Sequence, residues 1–169
     1  AFVQAAAQAG LLPAARRVQV RLYGSLAATG VGHGTDRAVV AGLLGQQPDR
    51  VDPDQMADAV DAVRLDGQLA LGGAHTVPFD WARDLRLLPV SLPYHPNAMR
   101  LAAHGEAGVL YENTYYSVGG GFVIDEAQAQ SGGVRQPIGR AARAWCSGKC
   151  PARPGWGGGC ANAIRCSSH

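Results

Sequence analysis

The sequence predicts an α/β domain, at its border with α+β, built on a mixed sheet with two or three helices. Three observations carry that prediction. Apolar residues recur at strand spacing over 17–23 and at helix spacing over 36–45 and 53–63. From Gly67 onward the period changes from 3.6 to 2. And the order helix, strand, helix, helix, then several strands suits a sheet covered by helices.

Taken in order, residues 1–12 suit a short helix. Arg17 to Tyr23 (RVQVRLY) alternates, with Val18, Val20 and Leu22 on one face, and reads as a strand. A glycine-dense connection follows, holding Gly24, Gly30, Gly32 and Gly34, and Thr35-Asp36 can cap the helix DRAVVAGLLG that stops at Gly45. QQPDRVDPD is a loop. Asp52 or Asp54 can cap a second helix, PDQMADAVDAV, with Met56, Val60 and Val63 at helical spacing. Gln68–Leu71 and His75–Phe79 flank Gly72-Gly73-Ala74 as a hairpin. Leu85–Val90, Ala98–Ala103 and Val109–Ser117 read as strands separated by PYHPN and HGEAG turns, and Phe122–Ile124 is a further short apolar piece.

At 169 residues the chain has the length of about one domain. Its 47% apolar content is ordinary for a globular protein, and no apolar run reaches the roughly 18 residues of a membrane span. AFVQAAAQAGLLPAARR lacks a leading basic region and reads as a helix missing its start, not a signal peptide. The expectation is a soluble cytoplasmic protein.

The net charge of +2 hides an asymmetry. All thirteen acidic residues lie at or before Glu126, against nine basic ones, whereas residues 127–169 hold six basic residues and no acidic one. The four cysteines (Cys146, Cys150, Cys160, Cys166) and two of the three tryptophans also fall in that tail. The expected organisation is therefore a domain over 1–132 and an irregular, unstructured tail over 133–169. An acidic body gives no reason to expect nucleic-acid binding. The tail's Cys146-x3-Cys150-x9-Cys160-x5-Cys166 meets zinc-ligand spacing only once, so metal binding there is the weaker alternative to adventitious thiols.

Three glycine-bounded segments concentrate polar groups. In Tyr23–Asp36, glycines on both sides of His33 place an imidazole at a strand-to-helix junction, where α/β proteins usually hold ligands. Such a histidine can act as general acid or base near neutral pH, or be a satisfied residue of a tight turn. The following helix N-terminus offers N–H groups to an anion, but neither GxxxxGK[ST] nor GxGxxG is present. In Leu92–Met99, two prolines fix a bend with His95 and Asn97 at its tip; a rigid turn in which Asn97 bonds its own backbone is the alternative to a ligand role. In Thr114–Phe122, three consecutive glycines after a strand suit either a close approach or a flexible connection. His75 reads as structural and His104 as solvated.

LYGSLAATGVGHGTDRAVVAGLLG, GGAHTVPFD, LPYHPNAM and YENTYYSVGGGFVIDE, in this order and spacing, together resemble the β portion of the bacterial iron–sulfur L-serine dehydratases, over about Ala1 to Glu126. That resemblance implies conversion of L-serine to pyruvate and ammonia with a [4Fe–4S] cluster in place of pyridoxal phosphate. Three cysteines of an α portion hold the cluster, whose open iron acts as a Lewis acid on the serine hydroxyl. A base takes the Cα proton, water leaves, and the aminoacrylate hydrolyses to pyruvate. The resemblance also implies a fold like the effector-binding domain of phosphoglycerate dehydrogenase, packed against the α portion.

His33 is the residue it marks as catalytic, with Ser25, Thr35, Asp36 and Asn97 as substrate contacts; no metal ligand is expected in this chain. Three parts of the family pattern, a GPSSSHT-like opening stretch, the cluster-bearing α portion and a PYPFxSGxELL-like segment near Gly133, are not found in this chain. The tail then reads as out-of-frame translation, and the fragment as inactive alone. A face left uncovered by the α portion would favour homo-oligomers. The alternatives are a serine-like effector-binding module without catalysis, and metal binding by the tail.

Overall fold

A computed structural model describes residues 1–47 and 49–132. The tail and its cysteines, with the expectations attached to them, lie outside the described residues. The chain enters through α1 (Phe2–Gln8), which buries Phe2 and Ala6, four residues apart on one helical face. A short 3-10 turn leads into β1 (Arg17–Tyr23). Val18, Val20 and Leu22 of β1 are fully buried, as the alternation predicts. Each such side chain contributes about 1.5–3 kcal/mol on leaving water.

Then follow α2 (Gly24–Ala28), α3 (Thr35–Leu43) and α4 (Pro53–Asp66). In α4, Asp52 is the cap: its carboxylate accepts from the N–H groups of Asp54 and Gln55, Pro53 opens the first turn and Gly67 closes the last. In α3 the cap position is Gly34, with Thr35 already helical and Asp36 in the first turn, so Thr35-Asp36 does not cap as the sequence suggests. β2 (Gln68–Leu71) and β3 (His75–Pro78) form the expected hairpin, but as a separate two-stranded sheet.

α5 (Trp81–Asp84) is a single turn capped by Asp80, followed by β4 (Leu85–Leu88), β5 (Ala98–Gly105), β6 (Gly108–Gly119) and β7 (Phe122–Asp125). α6 (Glu126–Gln130) closes the described chain behind a capping box in which Asp125 and Gln128 satisfy each other's backbone N–H.

The main sheet runs β4-β1-β5-β6-β7. β1 and β4 are parallel and the other neighbours antiparallel, which makes the sheet mixed, as expected. Of the six helices among the described residues, only α3 and α4 exceed two turns. One sheet face packs Val18, Val20, Leu22, Leu101 and Tyr115 against the helices and the hairpin, through Val40, Leu43, Val60, Leu69 and Phe79. Among the described residues, the second face is covered only at one end, where Tyr23, Ala98, Tyr116 and Ile124 pack with Ala129 of α6. Asp84, fully buried, ties α5 to β1: its carboxylate accepts from Arg17 at 2.5 Å and from the Asp80 N–H at 2.9 Å.

Candidate functional site

The first glycine segment leaves the C-terminal end of β1, next to the parallel β4. Gly24 donates its N–H to the Val90 carbonyl (2.9 Å) and adopts φ +53°, a left-handed conformation. A Cβ at this position would lie 2.0 Å from the Pro96 carbonyl oxygen. Only glycine lets this backbone meet the proline bend that closely. The same bend is tied to β6, where the Ser117 N–H donates to the Asn97 carbonyl at 2.9 Å. Parts of all three polar segments are thus brought to one end of the strands β1, β5 and β6.

Within the bend, the Asn97 N–H donates to His95 Nδ1 (3.1 Å), so the histidine ring, not the Asn97 side chain, stabilises the turn. Asn97 Oδ1 is buried with no hydrogen-bond partner among the described residues. Ser25, next to Gly24, is exposed, and its hydroxyl makes no hydrogen bond there.

His33 lies further along, between α2 and α3. Thr29 donates through both its N–H (3.0 Å) and its hydroxyl (2.8 Å) to the Ser25 carbonyl; the His33 N–H donates to the Thr29 carbonyl (2.9 Å) and the Thr35 N–H to the Gly30 carbonyl (2.8 Å). The backbone of this connection is held in place, yet the His33 side chain is exposed and its imidazole makes no hydrogen bond among the described residues. Asp36 is the opposite case. It is 8% exposed, and its Oδ1 is buried without a hydrogen-bond partner among the described residues. Position in the first turn of α3 lets the helix dipole offset part of that cost, about 0.3–1 kcal/mol. An unmet buried acceptor costs about 1–3 kcal/mol, so the balance remains unfavourable.

The five expected site residues therefore form two groups. Ser25 and Asn97 flank the contact between Gly24 and Pro96; His33, Thr35 and Asp36 occupy the start of α3. The α2 turn links the groups.

Sequence reasoning missed a third set beside them. Tyr116 donates its hydroxyl to Glu126 (2.7 Å), and Tyr94 from the proline bend stacks on the Tyr116 ring at 4.8 Å between centroids. Burial, then the bond and charge of Glu126, push the Tyr116 phenol up to about 12. The Tyr116 hydroxyl in turn is the main reason the Glu126 carboxyl is lowered, with Gln130, Thr114 and Arg100 adding to it. Period-2 spacing puts Tyr116 and Thr114 on one strand face, but only the register places them beside Ala98 and Arg100. His75 is structural, its Nε2 2.8 Å from the Ala15 carbonyl. His104 is not simply solvated: its ring sits 3.1 Å from Gln19 Oε1 across the β1–β5 pair.

An iron–sulfur cluster needs thiolates. The described residues include no cysteine, and among them no three His, Cys, Asp or Glu side chains are grouped as metal ligands. They do not fit a cluster. Among them, too, no helix is long and apolar enough to cross a membrane.

Comparison with known proteins gives a consistent result. A family model described as serine dehydratase beta chain matches residues 1–128. An L-serine dehydratase of Streptomyces coelicolor is 46% identical over 118 residues, covering 69% of this chain and 26% of that protein. L-serine dehydratase TdcG of Escherichia coli is 41% identical over 126 residues, 74% of this chain and 28% of its own length. An L-serine dehydratase of Mycobacterium bovis is 40% identical over 134 residues, 78% of this chain and 29% of its own. The chain thus spans about a quarter of the length of the curated relatives it matches.

Proposed function

The chain belongs to the serine dehydratase beta chain family, and from that premise we propose that it is the β portion of an L-serine ammonia-lyase. The reaction is conversion of L-serine to pyruvate and ammonia, in the cytoplasm: water leaves first to give aminoacrylate, and hydrolysis takes one water back as ammonia is released. The family resemblance implies a [4Fe–4S] cluster held by an α portion supplied in cis or in trans, where it would supply Lewis-acid chemistry. This chain's contribution is a polar loop edge presented to that partner.

The observation that carries the reading is His33, an unbonded imidazole on a turn fixed by the Thr29 and Gly30 carbonyls. A fixed backbone with a free side chain suits a group that takes or gives a proton at a partner's substrate. Thr35 and Asp36 shape the same helix start. Ser25 and Asn97 offer a hydroxyl and an amide to the serine ammonium and carboxylate.

A second reading has its own observation. Asp36 Oδ1 and Asn97 Oδ1 are buried acceptors without donors among the described residues, and an amino-acid ammonium would satisfy such groups in an effector-binding module that performs no chemistry.

Pyruvate formation from L-serine separates the readings. The 169-residue chain is assayed alone and mixed with an anaerobically reconstituted α portion of a serine dehydratase. Activity only in the mixture supports the β-portion reading. Activity in the chain alone would overturn the assignment of the cluster to the partner. Serine binding by calorimetry without turnover in the mixture would favour the effector module.

A further inference from the structure

On the part of the second sheet face that the described residues leave uncovered, strand register sets three arginines side by side. Arg86 of β4 is opposite Arg21 of β1, and Arg21 is opposite Arg100 of β5. Neighbouring strands lie about 4.8 Å apart, so three guanidinium stems start within roughly 10 Å. Like charges at directly opposed positions repel. Arg100 has local relief, donating to the Thr114 hydroxyl at 3.2 Å and acting on Glu126. Arg21 and Arg86 have none: neither makes a hydrogen bond or ion pair among the described residues.

Arg83 of α5 joins Arg21 and Arg86 around a cavity of about 230 Å³, together with Gln19, Val20 and Leu88. Its own contact with the buried Asp84 is long, at 3.5 Å. Three cations from three elements, one amide and a cavity of this size match a small anion better than a protein surface. The chain's residues 127–169, with six basic residues and no acidic one, have the wrong charge to fill it.

We infer that Arg21, Arg83 and Arg86, with the Gln19 amide, form a binding site for a small multivalent oxyanion, a phosphate or a di- or tricarboxylate. Guanidinium groups hold such anions through paired N–H···O bonds, which fixes orientation as well as charge.

The test uses the full 169-residue chain with inorganic phosphate and citrate as probes, each against sodium chloride at equal ionic strength. Calorimetry and thermal unfolding are read together. The expected result is binding by at least one probe and a Tm rise of several degrees over the chloride control. The probe that binds more tightly identifies phosphate or carboxylate chemistry. Arg21→Gln with Arg86→Gln should weaken binding at least tenfold, whereas Arg16→Gln, an exposed arginine outside the cavity, should leave it unchanged. Arg86→Gln alone, by relieving repulsion, should raise Tm at low salt without anion while shrinking the anion-induced gain. No binding beyond the chloride control by either probe would overturn the site, as would full binding by the folded double variant.

Discussion

Replacing Gly24 by alanine tests whether the first glycine segment is built on direct backbone contact with the proline bend. Two costs act at this position. Its φ of +53° disfavours any residue with a Cβ, by about 1–2 kcal/mol. The new methyl would also sit 2.0 Å from the Pro96 carbonyl oxygen, far inside van der Waals contact, and backbone is poorly able to yield. Overpacking of this kind costs about 1–3 kcal/mol. Reduced freedom of the unfolded chain offsets about 0.4–1 kcal/mol.

Gly73 isolates the first cost: its φ is +72°, and a Cβ there would meet nothing within 4 Å. The difference between Gly24→Ala and Gly73→Ala should therefore be the steric term alone, about 1–3 kcal/mol. With a urea m-value of about 1–2 kcal/mol/M, Gly24→Ala should unfold roughly 0.5–3 M earlier than Gly73→Ala. Equilibrium urea unfolding followed by circular dichroism measures both. Equal midpoints within about 0.3 M, with unchanged m-values, would refute the reasoning.

Three further outcomes are expected. Asp36→Asn should hold or raise stability, by up to about 1 kcal/mol, because the unmet buried carboxylate oxygen costs more than the helix dipole returns; a urea midpoint well below wild type would count against this. Asp84→Asn should lower stability by about 2–3 kcal/mol, less than for a fully enclosed pair because Arg17 is 34% exposed; a change under about 0.5 kcal/mol by the same assay would show that the pair is incidental. Tyr116 and Glu126 should set opposite edges of the pH–stability profile. Tyr116 is raised, so its contribution is complete below the ordinary phenol value of 10 and is lost as pH climbs toward about 12. Glu126 is lowered, so its contribution is present above the ordinary carboxyl value of 4.5 and is lost on acidification below it. Tyr116→Phe should make the alkaline edge shallower, leaving the part that burial of Tyr115 supplies, and Glu126→Gln should make the acid edge shallower; thermal unfolding between pH 3 and 12 that shows either edge unchanged in its variant would count against this.

Legibility in the sequence followed interaction range. β1 is evident because Val18, Val20 and Leu22 alternate within seven residues, and α4 because Asp52, Pro53 and Gly67 mark both ends of a periodic run. α2 was hidden: five residues are too few to show a 3.6 period, and Gly24 and Ser25 read as loop until Leu26 and Ala27 are seen to pack on the core. α6 was equally concealed, since its capping box carries more of the signal than its one buried residue, Ala129.

The site shows the same division. The glycines around His33 are a local pattern and pointed to an accessible imidazole. The contact of Gly24 with Pro96, the bond from Ser117 to Asn97, and the arginine row across β4, β1 and β5 all depend on register between distant segments. So does the pairing of Tyr116 with Glu126, which only the turn between β6 and β7 brings together.

The most direct test of the central claim is turnover by His33→Ala in the reconstituted mixture of this chain with an α portion, set beside the wild-type mixture. The account predicts that kcat for pyruvate formation falls by about 10²–10⁴ while KM for L-serine and the unfolding midpoint change little, as for loss of a group that moves a proton without holding the substrate. A kcat within about threefold of wild type, with the variant folded and associated with its partner, would contradict it.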